Sequence, residues 1–214
     1  MARKNICHQF SAAGTCTYGD RCKFFHAVVI PSSSRHSITY TPSSSTNTLD
    51  EFFDGYAYSG FSYDPNKPAW DEFHRMARFL HWGKEKKAEE RESFKDALVQ
   101  AFNGIYGTDE NNLESWQTLC RVLSITPLPE GLEACREAVK RTYVNLVDLV
   151  DLPNSQSALM IFDTEAALSE YTLENHKIFP KENAYAGGLL KHLLRNIMNP
   201  RAVTRSRPQR RRRK

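Results

Sequence analysis

The 214-residue chain has no apolar run approaching the about 20 residues that a membrane-spanning helix needs. Its first ten residues, MARKNICHQF, lack the apolar stretch of a secretory leader. Both absences point to the cytosol or nucleus, where thiols stay reduced. Cysteine lacks an even count: the five present are an odd number, which argues against a disulfide framework. No internal repeat recurs at solenoid periods. Glycine and proline, ten of each, stay at ordinary levels, and 40% of residues are hydrophobic, so most of the chain can fold.

Acidic residues are missing where basic ones concentrate. The last fourteen residues hold eight bases and no acid, and residues 1–30 hold four bases and one acid. The 170 residues between them therefore sum to −7, within a chain whose net charge is +4. The ends suit a polyanion and the body does not.

Bulky apolar residues are nearly absent from residues 31–48, PSSSRHSITYTPSSSTNT, where only Ile38 and Tyr40 qualify. Such a segment cannot bury enough surface to offset its ordering entropy, so a disordered Ser/Thr-rich linker is predicted over 31–64. Its end differs in character: an aromatic strip at 52–63 sets Phe52, Phe53, Tyr56, Tyr58, Phe61 and Tyr63 among Asp and Gly. The strip either docks on the body or binds a partner.

From residue 65 the apolar period is helical. Trp70, Phe73, Met76, Ala77 and Leu80 predict a first helix after Pro68, and Phe94 to Ile105 a second, closed by Gly104 and Gly107. Asn112 can cap a third. Leu132, Cys135, Val139, Tyr143, Leu146 and Val150 read as one continuous fourth, ended by Pro153. Asp163 or Thr164 can cap a fifth, and a sixth carries Leu189 to Ile197. ALMIF at 158–162 suits a short strand, but one strand makes no sheet. The predicted architecture is a small Cys/His-rich unit at 1–30, the linker, an all-α domain of about six helices at 65–198, and a basic disordered tail at 199–214.

The finger is predicted from CHQFSAAGTCTYGDRCKFFH, in which Cys7, Cys16, Cys22 and His26 follow the spacing C-x8-C-x5-C-x3-H. Three thiolates and one imidazole make a closed tetrahedral set, the pattern of one structural Zn2+. A disulfide scheme would strand one cysteine and leave His26 unexplained. A catalytic zinc would keep a position open for water. Below about 40 residues a chain segment usually needs a metal or disulfide to fold. Zinc binding by such peptides is worth about 10–16 kcal/mol, and that energy is the folding energy. His8 is a nearby nitrogen, but the spacing selects His26. Cys120 and Cys135, far away in helical patterns, read as small buried hydrophobes.

At these residues the sequence resembles the CCCH zinc finger family of the tristetraprolin type. The match extends to Phe10, Gly14, Tyr18, Gly19 and Phe24, in one copy over about residues 3–27. The resemblance implies a fold nearly devoid of regular structure and single-stranded RNA as ligand. It further implies that Tyr18 and Phe24 stack on bases while backbone groups read base edges. The residue chemistry agrees, because single-stranded RNA is held by aromatic faces with bases placed near phosphates. Phe10, Tyr18, Phe24 and Phe25 cannot all be buried in so small a unit, and Arg3, Lys4, Arg21 and Lys23 interleave with them. The alternative is that the aromatics only shield the metal. The tristetraprolin type carries two fingers with a different lead-in, so no base preference transfers. The stretch from 174 to 197 weakly resembles fungal proteins with a CCCH finger beside a helical region, which implies no activity.

The tail RSRPQRRRRK reads as a nuclear localisation signal, a phosphate-binding arm, or neither. Asp148 and Asp151 lie three apart and read as the polar face of an amphipathic helix. His74 and His81 read as a surface or packing pair. None of these makes an active site. The expectation is therefore a non-enzymatic RNA-binding regulator, nuclear and able to shuttle to the cytoplasm, without membrane or small-molecule ligand. Its body would recruit a protein partner. The alternative is a protein–protein adaptor whose finger binds protein and whose Arg tail serves targeting.

Overall fold

A computed structural model describes residues 5–32, 48–155, 158–180 and 188–200. Most of the predicted linker, Arg3, Lys4 and the basic tail lie outside the described residues. The elements are α1 (His8–Ala13), β1 (Ala27–Ile30), α2 (Thr48–Asp54), α3 (Ala69–Phe79), α4 (Lys84–Tyr106), α5 (Leu113–Val122), α6 (Leu132–Lys140), β2 (Tyr143–Val144), α7 (Leu146–Asp151), β3 (Leu159–Phe162), α8 (Glu165–Glu174) and α9 (Leu190–Leu193). Among the described residues no helix is long and apolar enough to cross a membrane.

The body is mostly helical and centres on α4. Its first half, KEKKAEERE, is chiefly exposed, whereas Phe94, Leu98, Ala101, Phe102 and Tyr106 are buried. Phe73 of α3 stacks on Phe94 with ring centroids 4.7 Å apart, and Trp70 packs on Phe94 from the edge at 4.8 Å. The aromatic strip, predicted within a disordered linker running to residue 64, is instead ordered and docks here. It forms α2 and a single 3-10 turn at Ala57–Ser59, with Phe53 and Phe61 buried and Phe53 stacked on Tyr63 at 4.1 Å. Fully burying an aromatic of this size is worth about 1.5–3 kcal/mol, enough to hold a short helix that would not persist alone. Tyr58 stays exposed.

Local caps explain several helix starts. Asn112 accepts from Ser115 N–H at 3.2 Å to begin α5, and Thr164, not Asp163, accepts from Ala167 N–H at 3.1 Å to begin α8. Gly107, at φ 86°, ends α4, while Gly104 lies within it. Cys120 and Cys135 are buried as expected.

The sequence misleads on the course of the chain in the body. The predicted helix from Leu132 to Val150 is broken into α6, β2 and α7. Arg195 accounts for the break from a distance, donating to Lys140 C=O at 2.8 Å and Thr142 C=O at 3.1 Å, the carbonyls left open where α6 stops. Tyr143 and Val144 then favour an extended backbone, and Asn145 restarts the helix by accepting from Val147 and Asp148 N–H groups. The second surprise is ALMIF. Its residues 159–162 form the middle strand of a three-stranded sheet ordered β1-β3-β2, antiparallel on both sides. The register pairs Ala27 with Phe162 and Ile30 with Leu159, so the chain just after His26 is a sheet edge of the body.

Asp148 and Asp151 are not a solvated face. Asp148 Oδ1 pairs with Lys177 Nζ at 2.5 Å and its Oδ2 accepts from Tyr171 Oη–H at 2.9 Å. Burial alone would lower the Lys177 pKa, but Asp148 outweighs it and holds the ammonium above its ordinary value. Asp151 Oδ1 accepts from Ala69 N–H at 2.9 Å, supplying the cap that Pro68 cannot give α3.

Candidate metal centre

Cys7 sits at the N-cap of α1, and its Sγ accepts from Phe10 N–H at 3.5 Å. That bond is the largest influence on the thiol and brings its pKa below the ordinary value. Gly14, at φ 67°, turns the chain out of α1 through its N–H to Phe10 C=O. The loop carrying Cys16 is pinned to α1 by Gln9, which donates to Thr17 Oγ1 at 2.6 Å and accepts from Thr17 N–H at 3.1 Å. A 3-10 turn at Gly19–Arg21, entered at φ 48°, delivers Cys22. Phe24 N–H lowers the Cys22 pKa, but desolvation and the two neighbouring thiols outweigh it and the net displacement is upward. Three sulfurs held together in this way resist ionising all at once, and a dication relieves the repulsion. The chain closes with Cys7 N–H to Phe25 C=O at 2.8 Å and Phe25 N–H to Asn5 C=O at 3.0 Å.

The ligand atoms of Cys7, Cys16, Cys22 and His26 all lie within 4.8 Å of one another. Two thiolates about 2.3 Å from a tetrahedral zinc stand about 3.8 Å apart, and Cys7 Sγ and Cys16 Sγ are separated by 3.7 Å. His26 Nε2 is buried and has no hydrogen-bond partner, as fits a nitrogen that ligates a metal. Its Nδ1 lies 3.4 Å from Asp163 Oδ2. The donor set fits Zn2+ in number, kind and spacing. His8 is outside this set.

Residues 3–28 match the family of zinc fingers of the C-x8-C-x5-C-x3-H type (and similar). No curated protein and no solved structure matches the chain. The finger thus holds one zinc ion with four protein ligands, and the zinc contributes cross-linking and folding energy with no position left for a substrate.

The other predicted residues fall into distinct places. Tyr18 and Phe24 are 71% and 52% exposed, and they line a recess of about 580 Å³ with Asn5, Ile6, Arg21 and Lys23. Phe10 is stacked on the His26 ring, centroids 4.5 Å apart and planes 4° from parallel, so its face is committed to the ligand. Arg3 and Lys4 lie outside the described residues.

Sequence reasoning passed over two participants. Phe25 is buried in a small second core with Ala27, Phe162, Leu168 and Tyr171, meeting Phe162 and Tyr171 edge-on at 6.3 and 5.9 Å. Asp163 reaches the fourth ligand from the body. The only local signal was the crowding of four aromatics in a unit too small to bury them, which requires an outside surface.

Proposed function

We propose that this chain is a non-enzymatic, single-stranded RNA-binding regulator whose zinc finger reads a few nucleotides and whose helical body recruits a protein. The observation that carries the reading is the pair of exposed rings, Tyr18 and Phe24, beside Arg21 and Lys23 at one recess. Two consecutive phenylalanines part company here: Phe25 is buried against the body and Phe24 is left outside. An exposed aromatic costs solubility and gains nothing in the fold, whereas a base stacked on it gains about 1–3 kcal/mol. Arg21 and Lys23 stand near the phosphates, with Arg3 and Lys4 adding charge. Phe10 supports the site by holding His26.

Two stacked bases supply about 2–6 kcal/mol, a dissociation constant no tighter than tens of micromolar. Useful affinity therefore draws on the phosphate contacts of the basic ends, and the tail also suits nuclear targeting. The body's acidic surface repels RNA and is better suited to a protein partner. The test is selection from a random single-stranded RNA pool by the zinc-loaded full chain, at physiological salt with a polyanion competitor. Enrichment of a short motif, lost on chelation, supports the reading. No enrichment overturns it in favour of a finger that binds protein.

A further inference from the structure

The finger contributes all four zinc ligands, yet it does not by itself orient the last one. A neutral imidazole has two tautomers, and only the one protonated at Nδ1 offers a lone pair at Nε2. His26 Nε2 is the buried atom without a partner, so the structure already turns that nitrogen toward the three sulfurs. Three contacts hold the ring in this pose. Phe10 covers one face at 4.5 Å. Asp163 Oδ2 stands 3.4 Å from Nδ1. Asp163 N–H donates to the His26 carbonyl at 3.3 Å, so the same residue fixes both backbone and ring.

We propose that Asp163 is a positioning residue of the zinc site, holding His26 with Nδ1 protonated and Nε2 toward the metal, and that zinc binding and docking of the finger on the body are thereby coupled. A carboxylate accepting from the free N–H of a metal-bound histidine fixes the tautomer and raises the basicity of the ligand nitrogen. Asp163 follows β3 directly, and the β1–β3 register that pairs Ala27 with Phe162 places it beside His26. A slip of one residue would turn its side chain to the other side of the sheet. Body and metal thus meet at His26, whose Nδ1 edge lies 3.4 Å from Asp163 Oδ2 and whose other edge faces the thiols. Coupling of this kind is reciprocal: a docked body tightens zinc, and zinc tightens the docking.

The experiment uses the full chain in competition with a chromogenic chelator for zinc at fixed pH and salt. Asp163→Ala is expected to weaken zinc about 10–100-fold, and Asp163→Asn, which keeps an acceptor oxygen, to recover part of that loss. Thr164→Ala removes the adjacent cap of α8 without touching His26 and is expected to leave zinc affinity unchanged. The imidazole nitrogen resonances of His26 give a readout that a purely structural role would not move: the wild-type Nδ1 proton is protected from solvent exchange, and in Asp163→Ala it exchanges fast. Wild-type zinc affinity in Asp163→Ala overturns the proposal. So does an equal loss in Thr164→Ala, which would make the effect a general loosening of the β3–α8 corner, and so does an unaltered Nδ1 proton.

Discussion

Asp151 should make the protein less stable as pH rises, and Asp151→Asn should remove the effect. Its Oδ1 caps α3 through Ala69 N–H, while its Oδ2 is sealed from solvent with no partner. Burial pushes its pKa from the ordinary 3.8 up to about 7, against the pull of Ala69 N–H and Lys177, and nearby Asp148 adds to the rise. The folded-state pKa is the higher one, so within that window the folded chain holds more protons than the unfolded chain. Stability is therefore lost as pH climbs from the ordinary value to about 7. Each pH unit across such a window is worth about 1.4 kcal/mol, which sets a ceiling of about 4 kcal/mol at pH 8. An asparagine cannot ionise and keeps the amide oxygen that accepts from Ala69 N–H. The variant should be more stable than wild type at pH 8 by up to that ceiling, and by only about 1 kcal/mol at pH 4.5. Urea unfolding at both pH values with saturating zinc measures this, and differences between the two chains cancel the pH dependence of the metal ligands. The same stability difference at both pH values would refute the argument.

Two further variants test the packing. Asn145→Ala removes a residue that caps α7 at 2.9 Å to Val147 N–H and donates to Thr172 Oγ1 at 2.9 Å and Lys177 C=O at 3.0 Å. Loss of the cap together with stranded buried partners should cost about 2–4 kcal/mol, read as a lowered urea midpoint. Gly188→Ala would place a Cβ atom 2.3 Å from the Thr108 carbonyl oxygen and 3.0 Å from Glu110 N, both backbone atoms that cannot swing away. It should cost about 1–3 kcal/mol and speed hydrogen exchange at Leu193, with α4 and α5 unaffected.

What could be read from the sequence was what is local in the chain. The zinc ligands lie within twenty residues and their spacing is their chemistry, so Cys7, Cys16, Cys22 and His26 come together as expected. Capping by Asn112 and Thr164 is equally local. Apart from Gly104, which lies inside α4, the errors cross long separations. Nothing near Leu159 says that residues 27–30 will pair with it, and nothing near Lys140 says that Arg195 will donate to its carbonyl. A helical period ran on through Tyr143 and Leu146 because apolar side chains face one core in either conformation. Asp148 and Asp151 looked solvated because Lys177, Tyr171 and Ala69, which enclose them, are remote in sequence. The docking of Phe25 on the body belongs to the same class.

The most direct test of the central claim is the affinity of the zinc-loaded full chain for a short unstructured RNA, compared with Tyr18→Ala and Phe24→Ala. If these rings carry bases, each variant loses about 5–150-fold in affinity, the range that 1–3 kcal/mol of stacking gives. Zinc content stays at one ion per chain in both, because neither ring is a ligand. Full RNA affinity in both variants, with zinc retained, would contradict the account and leave the finger as a metal-built surface for protein.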